Sequence, residues 1–389
     1  MGMRLRQLLD GVFCRGNGVR DVEISGISYD TRTMEPGCLF VALPGYKTDG
    51  HRYIAEALER GAAAVLCERP PAGEGPWLTV PDSRAALAAV SANWFGHPAK
   101  EMTLLAVTGT NGKTTTTYLL KAMLEGALGA RVGLIGTNQN MIGGEILPAH
   151  RTTPESWEVQ ELLRKMADGG CTHVVMEASS HALVLHRLDG IPFRAGIFTN
   201  LTQDHLDFHN TMEAYCDAKA LLFRQSGRGA YNADDPWAGR VISEAACPLL
   251  SFGEKDGALR AKNVRLAVDG VSFDAVYGEE TVPVHVGIPG GFTVYNALGV
   301  LASAMALGIP LAESARALET SAGVKGRVEV VPVPGDYTVL IDYAVTPDAI
   351  ENVLSTVRGF ARGRVVILFG CGGDRDRGKR PKMGRAAAQ

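Results

Sequence analysis

The residues with the clearest chemical capacity begin at Gly109. An apolar run at 103–108 gives way there to Gly109-Thr110-Asn111-Gly112-Lys113-Thr114, and Thr115, Thr116 and Thr117 follow. A strand that enters a glycine turn and then a helix aims backbone N–H groups at one point, which suits a phosphate. Lys113 is then expected to reach β- and γ-phosphates, and the Thr114 hydroxyl to ligate Mg²⁺. The spacing is tighter than GxxxxGK[ST], whose first glycine would fall on Val107. A chance Gly-rich turn is the bland alternative; the strand before, the helix after and Lys-Thr in register argue against it.

Two other groups could act with this loop. Glu177 ends the apolar run of "THVVMEASS". A carboxylate at the carboxyl end of a neighbouring strand is where a second Mg²⁺ ligand belongs, although strand-end glutamates are also common on surfaces. Further on, "FTNLTQDHLDFHNTMEAYCDAKALLF" crowds Asp204, His205, Asp207 and His209 into a short loop and sets Lys219 among apolar helical neighbours. The residues alone read as a polar loop with His209 satisfied locally and Lys219 as a helix lysine that snorkels.

Three blocks of elements must position these groups. Residues 1–99 alternate short strand runs ("EISGISYD", "CLFVAL", "AAVLCE", "WLTV") with helical ones, and "GHPAK" at 96–100 reads as a linker. Residues 100–326 give strands at "TLLAVTG", "RVGLIGT", "THVVMEAS", "RAGIFTN" and "GAYNAD", apolar enough for a parallel sheet covered on both faces. Residues 260–286 alternate around Asp-Gly and Gly-Glu turns, as a small antiparallel insert. Residues 327–389 give strands "RVEVVPV", "YTVLIDYA" and "RVVILFG" with one helix between the last two. So few βα units cannot bury a core alone, so this third domain is expected to be partial.

The whole chain sets limits. Its 389 residues imply two or three domains, and a net charge of −3 excludes a global pull toward nucleic acid or anionic lipid. Seven dispersed cysteines without a CxxC pair suit reduced thiols in the cytoplasm. The start "MGMRLRQLLDGVF" lacks a signal-peptide core, and Arg6 occupies the position where myristoylation wants Ser or Thr. No apolar run reaches membrane-spanning length.

Taken in order, the segments resemble the Mur ligase family, MurE type, which adds the third residue to UDP-N-acetylmuramoyl-L-alanyl-D-glutamate. The resembling pieces are "SGISYDTRTMEPGCLFVALPGYKTDGH", "VTGTNGKTTT", "RTTPES", "MEASSHAL", His186-Arg187, "FTNLTQDHLDFH", "AYCDAKALLF", "NADD", "YNALGVLASA", "GVKGRVEVV", "DYAVTPDAIENVL" and "FGCGGDRDRGKRPKMG". The resemblance implies an α/β, three-domain Mur ligase architecture: a UDP-substrate domain, a central P-loop ATPase-like parallel sheet and a partial Rossmann-like C-terminal domain.

It also implies roles. Gly109, Thr110, Asn111, Gly112, Lys113, Thr114 and Thr115 would bind ATP, with Asn296, Arg327 and Asp342 around its adenosine. Thr114 and Glu177 would hold one Mg²⁺, and His205 with a carbamylated Lys219 a second. Lys113, Glu177, His205 and Lys219 would then be the catalytic set. Tyr29, Thr31, Tyr46, Lys47 and Thr48 would meet the uridine nucleotide. Thr152, Thr153, Ser179 and Arg187 would meet the muramoyl-peptide, and Arg375 the carboxylate of the incoming free amino acid. The implied enzyme is a cytoplasmic monomer, with no nucleic-acid or membrane partner, that phosphorylates a D-glutamyl carboxylate and lets an amine displace the phosphate.

Two departures bear on this. Val345 stands in "DYAVTPD" where the family has His, and the family's selecting motif Asp-Asn-Pro-Arg does not occur before residue 389. "GGDRDRGKRP" leans toward diaminopimelate as acceptor, with lysine the alternative. A form that binds nucleotide and UDP-substrate without ligation, and a folylpolyglutamate synthetase-like enzyme, are the rival readings. The incomplete third block favours the first of these rivals: substrate binding with little amide product.

Overall fold

The computed structural model describes residues 2–16, 19–45, 48–72, 75–267, 269–321, 323–371 and 377–388. Tyr46, Lys47 and Arg375 lie outside the described residues. The chain divides into two compact units. One comprises Met1–Glu101, Pro154–Asp168 and His181–Ile191; the other comprises Met102–Thr153, Gly169–Ser180 and Pro192–Gln389.

In the first unit, β1 (Ile27–Ser28), β2 (Leu39–Val41), β3 (Ala64–Cys67) and β4 (Trp77–Thr79) form a parallel sheet in chain order. The two-residue period of a strand sends Leu39, Val41 and Leu66 to one core and Phe40, Val65 and Cys67 to another, so both faces are covered. Helix α1 (Ser83–Trp94) starts where the Asp82 side chain accepts the N–H groups of Arg84 and Ala85. A helix over Ser156–Asp168, absent from the sequence reading, also belongs here. It buries Val159, Leu163 and Met166 at helical spacing and sets Trp157 4.7 Å from Phe95, centroid to centroid.

The second unit holds β5 (Thr103–Thr108), α2 (Lys113–Leu128), β6 (Val132–Ile135), β7 (Asn140–Ile142), β8 (Glu145–Leu147), β9 (His173–Glu177), β10 (Phe193–Phe198), α3 (Met212–Arg224), β11 (Gly229–Asn232) and β12 (Leu249–Gly253). Then come β13 (Leu259–Ala267), β14 (Gly270–Tyr277), β15 (Glu280–Val286), α4 (Gly291–Ala306) and α5 (Leu311–Glu319). The fifteenth strand completes an eleven-stranded sheet of order β8-β7-β6-β9-β5-β10-β11-β12-β13-β14-β15. Its six strands from β6 to β12 are mutually parallel. The expected insert is the antiparallel β13–β14–β15. Val271, Phe273, Ala275, Val284 and Val286 of the insert join one core with Val294, Leu298 and Leu301 of α4.

The sequence reading did not include the β7–β8 hairpin or β12. The third block also differs from expectation. β16 (Glu329–Val331) and β17 (Val339–Ile341) pair antiparallel, followed by α6 (Pro347–Phe360) and α7 (Lys379–Ala388). The run at 364–370 is not a strand, and Val366 and Leu368 are 75% and 99% exposed. β-rich residues make a strand only when a partner completes the ladder, and no described strand pairs with this run.

Candidate active site

The phosphate loop leaves β5 at the carboxyl edge of the sheet, between the ends of β9 and β10. Gly109 has φ 152° and Gly112 φ 84°, which only glycine adopts without strain. Crowding adds a second requirement. A Cβ on Gly109 would lie 1.9 Å from Thr199 Oγ1, and one on Gly112 would lie 2.5 Å from Asn296 Oδ1. Helix α2 has no side-chain cap. Among the described residues the N–H groups of Gly112, Lys113, Thr114 and Thr115 have no acceptor, which leaves a first turn open to an anion. β-branched threonines propagate a helix poorly, but Thr114 to Thr117 are all buried, and packing supplies what propensity lacks.

Thr114 and Glu177 meet directly. Thr114 Oγ1 donates to Glu177 Oε1 at 3.0 Å and accepts from Arg327 Nη2 at 2.9 Å. Glu177 is 1% exposed, and also accepts the N–H and hydroxyl of Thr137, at 2.8 and 3.0 Å. Gly136 leaves room for it: a Cβ there would sit 2.6 Å from Glu177 Oε1. Thr137 was missed by sequence reading, since a threonine after a strand carries no signal alone. Its hydroxyl oxygen lies 3.0 Å from Thr152 Oγ1 and accepts from it, while Thr153 Oγ1 donates to the Glu177 carbonyl at 2.7 Å and accepts the Ser179 N–H at 3.2 Å.

Lys113 Nζ folds back onto the carbonyls of Gly109 and Thr110, at 2.9 and 2.8 Å. Lys219 does not snorkel. It is 1% exposed, donates to the same Gly109 carbonyl at 2.7 Å and lies 4.3 Å from the centroid of the Tyr215 ring. Burial, reinforced by the positive charge of Lys113, holds its amine well below the ordinary 10.5. Burial also lowers Lys113, with Arg327 adding to the effect and Glu177 and Asp204 opposing it.

His205 has a left-handed backbone at φ 53°, and its ring meets the Tyr215 ring edge-on at 6.0 Å. So His205 and Lys219 flank one tyrosine. Asp204 accepts the His205 N–H at 2.8 Å and pairs with Lys379. Burial works against the Asp204 carboxylate, but His205 and Lys379 outweigh it and keep its pKa below the usual range. His209 donates to or accepts from Ser180 at 2.9 Å, a local partner.

Of the residues expected around adenosine, Asn296 is 3% exposed and its Nδ2 has no partner. Arg327 lies 5.0 Å from the centroid of the Tyr343 ring, leaves its Nε without an acceptor, and lines a cavity of about 480 Å³ with Asp269, Ile288 and Lys325. Asp342 accepts the Val328 N–H at 2.9 Å, and burial raises its pKa. Asn111 Nδ2 donates to Asp348 at 2.7 Å, a second link between the loop and the third block.

In the first unit, Tyr29 donates to Glu158, Thr31 is 5% exposed, and Thr48 is exposed. Arg187 and Arg84 hold the two oxygens of buried Glu155, at 2.7 and 3.3 Å.

Hydroxyl and carboxylate oxygens beside an open helix N-terminus suit Mg²⁺, which takes few protein ligands and shares its shell with phosphates and water. No group of three or more His, Cys, Asp or Glu that could hold a metal occurs among the described residues.

The Mur ligase middle domain matches residues 107–304, the Mur ligase glutamate ligase domain residues 326–389, and the Mur ligase catalytic domain residues 23–94. The chain belongs to the Mur ligase family. Among its Mur relatives, the UDP-N-acetylmuramoyl-L-alanyl-D-glutamate–2,6-diaminopimelate ligase of Clostridium botulinum is 44% identical, across 94% of this chain and 77% of its own length. The ligase of the same name from Caldanaerobacter subterraneus is 44% identical, across 100% of this chain and 81% of its own. A solved structure of such a diaminopimelate ligase superposes with TM-score 0.80 at 30% identity, covering 100% of this chain and 80% of that one. A folylpolyglutamate synthase from Mycobacterium tuberculosis reaches TM-score 0.61 at 16% identity, over 70% of each chain, which is a likeness of fold.

Proposed function

We propose that this Mur ligase joins meso-diaminopimelate to UDP-N-acetylmuramoyl-L-alanyl-D-glutamate at the expense of ATP, in peptidoglycan precursor synthesis. One observation carries the reading. The open loop 112–115, the Thr114–Glu177 pair and buried Lys219 converge at one sheet edge, in a chain 44% identical to ligases of that name.

The roles are those the family resemblance implies, and the open helix start and the Thr114–Glu177 pair support them. Gly112–Thr115 N–H groups and Lys113 receive the phosphates. Thr114 and Glu177 would hold one Mg²⁺, and His205 with carbamylated Lys219 a second; the metal supplies positive charge against the transferring phosphoryl group. The D-glutamyl carboxylate oxygen bonds to the γ-phosphorus as the bond to ADP breaks. The amine then displaces phosphate from the acyl carbon and loses a proton. Asn296, Arg327 and Asp342 are assigned to the nucleotide, Tyr29, Thr31 and Thr48 to the uridine end, and Thr152, Thr153, Ser179 and Arg187 to the muramoyl-peptide.

The three family matches support domains at 1–99, 100–326 and 327–389. No helix among the described residues is long and apolar enough to cross a membrane. We place the enzyme in the cytoplasm, where its nucleotide substrates are, as a monomer.

The test is mass spectrometry of the product formed from ATP, Mg²⁺ and UDP-muramoyl-dipeptide, with diaminopimelate, with lysine, and with a folate plus glutamate. Diaminopimelate tripeptide is the expected product. Lysine tripeptide would change the acceptor, and folyl product would overturn the reading. Binding of both nucleotides without product would favour the binding-only form.

A further inference from the structure

The phosphate loop is moulded by the four residues after β10. Thr110 N–H donates to the Asn200 carbonyl at 2.8 Å. Asn111 N–H donates to Asn200 Oδ1 at 2.9 Å, and Asn200 Nδ2 donates back to the Asn111 carbonyl at 3.1 Å. Thr199 Oγ1 also donates to that carbonyl, at 2.7 Å, and Thr202 N–H donates to Thr110 Oγ1 at 3.0 Å. Hence one side-chain amide grips both polar atoms on either side of the Asn111 α-carbon, as a neighbouring strand would.

This has a chemical result. A phosphate loop binds anions with unpaired N–H groups, yet those of Thr110 and Asn111 are already occupied. Among the described residues, the N–H groups of Gly112, Lys113, Thr114 and Thr115 at the helix start have no acceptor. The sealed half of the loop is scaffold, and the open half is the receptor.

We propose that Asn200 is a positioning residue of this ligase: by holding the Asn111 backbone it fixes the direction of the four open N–H groups and sets the affinity for the nucleotide's phosphates. Asn200 touches neither phosphate nor metal in this role. The proposal rests on the reading of the loop as the ATP site.

The experiment compares the full 389-residue chain with Asn200→Ala. Mg·ADP binding is measured by calorimetry, folding by thermal melting, and KM separately for ATP and for the UDP substrate. Loss of two hydrogen bonds should weaken Mg·ADP by about tenfold or more. KM for ATP should rise with it, with KM for the UDP substrate unchanged and a single cooperative melt retained a few degrees lower. An Asn200→Ala chain that binds Mg·ADP like the parent overturns the proposal. If that variant fails to fold, Thr199→Ala decides, since it removes one bond to the same carbonyl. It should weaken Mg·ADP by about threefold, and unchanged affinity overturns the proposal. A parent chain that does not bind Mg·ADP overturns the ATP reading itself, and the proposal with it.

Discussion

At the scale of single residues, the site is built by exclusion as much as by contact. Gly112 is needed twice, for its φ of 84° and for the space in which Asn296 Oδ1 lies. Gly112→Ala should therefore destabilise the fold by about 1–2 kcal/mol and weaken Mg·ADP as well, read by chemical denaturation and calorimetry; an unaffected variant would show that the loop relaxes freely. Lys219 gives a second prediction. Capture of CO₂ needs a neutral amine, and burial beside Lys113 favours that form. In ¹³C-bicarbonate the chain should show a carbamate carbonyl resonance that Lys219→Ala lacks, growing as pH rises; a parent spectrum without it would leave Lys219 as an amine bonded to Gly109. The phosphate loop was legible because its residue types and order are the chemistry. The partners of Lys219 were not, because burial is a property of packing, and composition around a helix lysine is the same whether it snorkels or is enclosed.

At the scale of elements, continuous apolar runs announced the parallel strands β5, β6, β9, β10 and β11, and alternation around Asp-Gly announced the antiparallel insert. The β7–β8 hairpin escaped because three-residue strands hold too few residues to show a period. The run at 364–370 misled for the opposite reason: its residues are β-rich, but the described chain gives it no ladder. Val345 is 45% exposed, and its neighbour Thr346 caps α6 by accepting the Ala349 N–H at 3.1 Å. A short loop gives a pH-dependent element. His186 Nδ1 lies 2.6 Å from Asp189, and that carboxylate, with Asp82 adding to it, raises the imidazole above its ordinary 6.5 against the pull of burial. A raised folded value means the contribution is complete below about 6.5 and is lost as pH rises through the folded value. With both partners more than a third exposed, the effect on stability is small. Proton NMR should show His186 titrating above 6.5 and falling in Asp189→Asn; an unshifted titration in that variant would remove Asp189 as the cause.

At the scale of the whole molecule, residues 154–168 and 181–191 pack with the first unit although the sequence sets them within the second block. Chain order cannot show such an exchange, because packing partners are chosen by apolar faces and not by neighbourhood. A different consequence lies in how the long sheet ends. Its outermost strands, β8 and β15, are both hairpin strands, so none of the six parallel strands has an open side. β15 carries Pro283 opposite Asp274, and proline has no N–H to offer another chain. Bare edges invite pairing between molecules, and proteins blunt them with proline and charge. Pro283→Val should leave the melting temperature nearly unchanged and raise light scattering at high protein concentration. Equal scattering by the two chains would assign the protection to other features of the edge. Colloidal solitude of this kind lets the chain keep its sheet to itself.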